Sequence, residues 1–206
     1  MTVTIDKKAQ TQWGKSSISY ENYQNYINLK QDRYKLSLID LLYVSNFKGG
    51  NATINEPESV IENKLNSYST GLKDIHNEFN KKTLAELTNM ELENLVSKIM
   101  AICNLTRKDT NTRIDGFSVS YLSALLNVYS PTLIPILDRR VLINLHLVSN
   151  NDIDKQGQIK NIQQFYKPLI EKIAKISRDT NLTVREVDRQ IFITKIEKQF
   201  PITIEK

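Results

Sequence analysis

Apolar residues recur at alternating intervals of four and three from Ile61 through Leu65, Tyr68, Leu72 and Ile75 to Phe79, which predicts one buried face on a long helix after Pro57. Ile162, Tyr166, Leu169, Ile173 and Ile176 repeat the rhythm, and a last helix is expected with Val184, Val187, Ile191 and Phe200 on its buried side and Asn181 or Thr183 as its cap. Thr83 with Glu86 and Thr88 with Glu91 match the capping box, in which hydroxyl and carboxylate each satisfy a backbone amide at a helix start. The second box opens a helix burying Leu92, Leu95, Val96, Ile99 and Cys103. Strand signals are few. The pattern predicts an all-α protein without internal repeats, its N-terminal helices spanning 17–104, a distinctive segment 105–148 and C-terminal helices 158–200, all in one domain over 1–206. Residues 1–16 are polar and aperiodic and are expected to fray. Phe47-Lys48-Gly49-Gly50-Asn51 and Asn150–Gly157 read as loops.

Composition narrows the classes. One cysteine, Cys103, excludes an intramolecular disulfide framework, a multi-cysteine zinc site and a cluster held by four thiolates of this chain. No cofactor or metal is expected, and His76 and His146 fall in different predicted helices. No apolar run approaches about 18 residues and the start lacks the apolar stretch of a signal peptide, so a cytoplasmic chain without membrane contact is expected, and a monomer. A net charge of +5 and a pI near 9.1 are compatible with a polyanionic partner and equally with an ordinary surface.

Chemistry concentrates between Ile114 and Val141. Gly116 permits a tight turn, and the helix that follows offers unpaired amides and the positive end of its dipole, a place where a phosphate can dock. Ser118, Ser120 and Ser123 add small donors, and Arg107, Lys108 and Arg113 lie just upstream. A glycine before a serine-capped helix is also a common structural turn. Further on, Pro131 and Pro135 bracket the apolar run that ends in Ile136-Leu137-Asp138, before Arg139-Arg140-Val141. A rigidly held carboxylate there can stabilise oxocarbenium-like charge and orient water; as a helix cap it needs no further role.

The order of hairpin glycine, small residue and leucines on a helix, Pro-x-x-x-Pro and Ile-Leu-Asp before Val resembles the helix-hairpin-helix DNA glycosylases, closest to their adenine-glycosylase branch. The resemblance spans residues 105 to 145 and is carried by Gly116, Ser120, Ala124, Pro135, Asp138 and Val141. It implies a two-lobed helical bundle, DNA as partner, and Asp138 as the catalytic carboxylate, while the single cysteine makes this chain a divergent case without an iron–sulfur cluster. Bifunctional members use a lysine for a Schiff base eighteen residues before the aspartate, where this chain has Ser120, so the resemblance places Ser120 with Asp138 among the catalytic positions. The implied enzyme is therefore monofunctional: it hydrolyses the N-glycosidic bond of a damaged or modified base and leaves an abasic site, in repair or in defence against modified foreign DNA.

The same resemblance assigns phosphate or DNA contacts to Gly116, Ser118, Tyr121, Arg107, Lys108, Arg113, Arg139, Arg140 and Lys48, the last also a spatial substitute for the missing lysine. Base extrusion requires stacking surface, for which Tyr43 and Phe47 stand out in a tyrosine-rich N-terminal quarter, although aromatics at helical spacing also pack as core. Glu56, Glu58 and Glu62 are candidates for the acid that protonates a departing purine. Arg185-Glu186-Val187-Asp188-Arg189 reads as a charged helix face with internal ion pairs that can also line a cleft. Two rivals stand beside the enzyme: a non-catalytic hairpin DNA-binding module, favoured by Ser118 where the family usually has a second glycine, and a helical interaction protein of a toxin or defence system.

Overall fold

A computed structural model describes residues 4–50 and 53–196; Phe200 lies outside the described residues. Among these the protein is all-α, with eight helices: α1 (Lys7–Leu29), α2 (Leu38–Phe47), α3 (Glu58–Phe79), α4 (Asn89–Asn104), α5 (Val119–Tyr129), α6 (Arg139–Asn144), α7 (Tyr166–Thr180) and α8 (Val184–Ile193). Extended pairing among the described residues is limited to isolated bridges, Ile5 with Thr194 and Ile153 with Ile159.

The six apolar positions counted from Pro57 are all buried on α3, whose inner face meets α4 and α2. Each such side chain contributes roughly 1.5–3 kcal/mol over leaving it in water. Thr88 and Glu91 form the expected box at the start of α4, and Thr183 with Glu186 does the same for α8. Asn181 instead ends α7 in the left-handed conformation. Thr83 and Glu86 also bond to each other, but the segment after them closes only a turn before α4.

Helix α5 is the axis of the fold. Nine of its residues are buried, and it packs against α1, α2 and the short 3₁₀ turn Ile162–Phe165. A helix apolar on nearly every side must be enclosed. Where α1, α2 and α5 meet, Asp40 is fully buried and accepts from Tyr23 Oη at 3.0 Å, Tyr129 Oη at 2.9 Å and Lys30 Nζ at 2.9 Å. Burial first, and then Asp40, push the Tyr23 and Tyr129 hydroxyls well above the usual phenol range, so both remain donors.

Residues 7–16 do not fray; they are the first turns of α1. Asp6 caps the helix by accepting from the Lys8 amide at 2.9 Å and the Ala9 amide at 3.2 Å, and its other oxygen pairs with Arg140 at 2.7 Å. The Asp6 amide donates to the Ile193 carbonyl at 2.8 Å, and the Lys195 amide donates to that of Thr4 at 2.9 Å. Contacts with a cation 134 residues away and with the end of α8 stabilise a segment that local pattern leaves unmarked.

Candidate active site

Asp138 ends a buried strap without regular secondary structure, Ile134–Leu137, that is hydrogen-bonded to side chains of α5, α7 and α8. A buried segment of this kind has no helix to satisfy its polar atoms, so side chains must. Asn127 Nδ2 donates to the Ile134 carbonyl at 2.6 Å, Tyr166 Oη to the Pro135 carbonyl at 3.0 Å, and the Ile136 amide to Asp188 Oδ2 at 3.3 Å. Leu137 is held twice: its amide donates to Ser123 Oγ at 2.9 Å and its carbonyl accepts from Ser120 Oγ at 2.8 Å. Ser123 in turn donates to the Ser120 carbonyl at 2.8 Å. These polar side chains of three helices, all buried except the half-buried Ser120, hold the backbone immediately before Asp138.

Asp138 caps α6, its Oδ1 accepting from the Arg140 amide at 2.8 Å. Its Oδ2 accepts from Lys48 Nζ at 3.0 Å, with the two side chains only 26% and 13% exposed. Burial pushes the Asp138 carboxyl up, but Lys48 and the Arg140 and Val141 amides outweigh it and leave the group below its ordinary value, hence ionised at neutral pH. Lys48 is the C-cap of α2, where the helix dipole favours a cation, and Gly49 and Gly50 follow at φ of 105° and 72°. That turn brings Lys48 to the aspartate across 90 residues of sequence.

Both side chains line a cavity of about 270 Å³ together with Trp13, Phe47, Arg185, Asp188 and Phe192. The Trp13 and Phe192 rings lie 5.5 Å apart. Arg185 stacks its guanidinium over Trp13 at 4.0 Å and over Tyr20 at 4.3 Å. Asp188 is 2% exposed, and burial raises its carboxyl to about 7. The run 185–189 thus carries no internal ion pair among the described residues; it closes the cavity instead. A signal for this was present, because Asp188 falls on the same stripe as Val184, Val187 and Ile191. Trp13 had no such signal, since it belongs to the segment expected to fray.

Other expected site residues go elsewhere. Ser120 is a clamp on Leu137 and does not line the cavity, because its hydroxyl is turned to the strap carbonyl. Tyr43 stacks on Tyr23 at 5.2 Å and Tyr26 at 5.0 Å and is likewise absent from the lining, leaving Phe47 as the expected aromatic that is present. The Arg140 guanidinium is taken up by Asp6, the Phe192 carbonyl and the Thr194 carbonyl, so it staples α1 and α8 to α6. Arg139 donates to the Gly157 carbonyl. None of Glu56, Glu58 and Glu62 lines the cavity; Glu56 pairs with Lys64 and accepts from the Asp115 amide at 2.7 Å.

The Gly116 turn borders a separate depression lined by Arg107, Lys108, Arg113, Gly116, Ser118 and Gln163 among others, sharing no residue with the Asp138 cavity. Gly116 is required there twice over, by its φ of 81° and because a Cβ would stand 1.9 Å from the Thr53 carbonyl oxygen. Ser118 is the N-cap of α5, and Tyr121 packs against Phe117 at 6.1 Å. Arg107 and Arg113 already pair with Asp109 and Asp115, while Lys108 has no acid in ion-pair range among the described residues. Among those residues no three His, Cys, Asp or Glu side chains converge as metal ligands, and no helix is long and apolar enough to cross a membrane.

No protein-family model, curated protein or solved structure matches this chain.

Proposed function

We propose that this protein is a two-lobed helix-hairpin-helix DNA glycosylase that hydrolyses the N-glycosidic bond of a damaged or modified base and leaves an abasic site. The observation that carries the reading is the ionised Asp138, fixed at the end of a strap held by side chains of three helices and lining a small cavity walled by aromatic rings. A fixed carboxylate stabilises the positive charge that develops on the sugar as the base departs, and it orients the water that attacks C1′. The cavity takes the extruded base, with Trp13, Phe47 and Phe192 as stacking surface. The hairpin depression, with Lys108 its least neutralised cation, grips the DNA backbone. Repair and defence against modified foreign DNA are both settings for such chemistry.

One contact favours a second reading, in which Lys48 acts as nucleophile in place of the absent hairpin lysine. Its ammonium lies 3.0 Å from Asp138 Oδ2, the group that can take its proton. The free amine then attacks C1′, the base leaves with the glycosidic electron pair and the proton held by Asp138, the C1′–O4′ bond opens as the amine nitrogen's lone pair forms the imine, O4′ taking up the nitrogen's proton, and the imine permits loss of the 3′ phosphate by β-elimination. Base release from duplex and single-stranded DNAs with modified bases tests both. Strand breaks only after alkali support hydrolysis. Breaks without alkali, together with a borohydride-trapped adduct lost in Lys48→Met, support the lysine. Salt-sensitive DNA binding without any release points to the non-catalytic module, and absence of both to the interaction protein.

A further inference from the structure

Two cations of the cavity have no partner. Lys15, Lys48 and Arg185 line it against two acids, Asp138 and Asp188. Lys48 is paired with Asp138, and burial holds the Asp188 carboxyl up to about 7, so the charges of Lys15 and Arg185 are left in excess near neutrality. Neither has an acid in ion-pair range among the described residues, and the Arg185 side chain makes no hydrogen bond there. Arg185 is half-buried; burial, the largest effect, outweighs Tyr20, Asp188 and Glu21 and leaves its guanidinium below its ordinary value. Arginine stays protonated in proteins all the same. A partly desolvated charge thus faces the cavity without a counterion, an arrangement that costs stability until an anion joins it.

The surroundings select the kind of anion. The guanidinium lies 4.0 Å from the Trp13 ring and 4.3 Å from the Tyr20 ring; such stacking uses the flat of the group and leaves its N–H donors, which lie in its plane, for an oxyanion. Gln12, Lys15, Ser16 and Ser19 recur on α1 at spacings of three and four, so one polar face of that helix lines the same cavity and adds an amide, hydroxyls and the second cation. We propose that Arg185, with Lys15, is a seat for a phosphate group at this cavity. Phosphates are the anionic groups that DNA offers, so the occupant, an assignment that rests on the glycosylase reading, is a phosphate flanking the extruded nucleotide. The seat shares no residue with the hairpin depression, so the two grip different phosphates. Fixing the one next to the extruded sugar sets where C1′ stands relative to Asp138.

Binding is measured on a duplex holding one tetrahydrofuran nucleotide, an abasic mimic, with a neutral methylphosphonate replacing in turn each phosphate beside it. Wild type is expected to lose about 10–100-fold in affinity at one of these positions, the worth of a charge-assisted hydrogen bond. Arg185→Met, whose unbranched stem still packs on Trp13 and Tyr20, is expected to bind the unmodified duplex more weakly by the same factor, to ignore that methylphosphonate, and to show a salt slope smaller by about 1. Wild type that tolerates every methylphosphonate, or Arg185→Met that keeps the sensitivity, overturns the proposal; the wild-type series decides even where the variant fails to fold. In parallel, inorganic phosphate is titrated without DNA and read by the fluorescence of Trp13, the sole tryptophan, on which Arg185 is stacked. A saturating shift that Arg185→Met abolishes, in a protein that binds no DNA, upholds the seat and refutes the glycosylase reading, the occupant then being a free phosphate compound. Wild type that responds to neither DNA nor phosphate overturns both.

Discussion

Removing one hydroxyl tests whether the strap is what positions the site. Ser123→Ala deletes the acceptor of the Leu137 amide and the donor to the Ser120 carbonyl, at a residue that is fully buried on α5. The orphaned Leu137 N–H has no route to water, so the expected loss is about 1–3 kcal/mol, the desolvation cost of an unsatisfied buried donor. In a chain of this size that corresponds to a fall in Tm of about 2–12 °C. Ser120→Ala, at a half-buried residue whose lost partner is a carbonyl, is expected to cost nearer 1 kcal/mol. Thermal and urea unfolding of both variants give the numbers. Base release should fall further than stability does, by up to about 100-fold, because a small shift of Leu137 moves Asp138. A Ser123→Ala protein that melts with wild type would refute the reasoning, since Leu137 would then be held by something other than Ser123.

Lys48→Met removes the cation that keeps the Asp138 carboxyl below its ordinary value, so NMR titration of that carboxyl should show a rise toward neutral pH; an unmoved titration would mean the ion pair does not form in solution. Arg140→Met frees Asp6 and the last turn of α8, and is expected to cost about 1.5–3 kcal/mol and to erase amide exchange protection in the first turns of α1. Protection retained over residues 9–13 would contradict the staple. The native state holds a proton on Asp188 that the unfolded chain releases near pH 4, so between there and about pH 7 stability should fall as pH rises, by no more than about 1.4 kcal/mol per unit from this group. Asp188→Asn should remove that component of the slope in urea unfolding, and an unchanged slope would assign it elsewhere.

The sequence disclosed what periodicity can encode. The α3 stripe, the Thr88 box and the Thr183 cap are local, and each was legible within a dozen or two residues. The position of Asp138 at a helix start was legible too, because an aspartate after a proline-bracketed apolar run is a local signal. Pairings over long separations were not: Lys48 meets Asp138 across 90 residues, and Arg140 meets Asp6 across 134. The second of these contacts holds N-terminal residues whose local pattern predicts fraying, and the first places Lys48 on Asp138, which no local signal around residue 48 encodes. Ser120 was drawn toward catalysis by its place eighteen residues before Asp138, yet on α5 it shares a face with Ser123, and together they clamp Leu137. Asp188 stood on an apolar stripe, a polar exception that periodicity does reveal once the charged run is laid on a helix.

The most direct measurement is base release from a panel of modified duplex and single-stranded DNAs by wild type and Asp138→Asn. Asparagine keeps the α6 cap and the shape of the cavity while removing the charge. The proposed mechanism predicts alkali-revealed abasic sites with wild type and none with Asp138→Asn, whose DNA binding is unchanged. Release that persists undiminished in Asp138→Asn would contradict it.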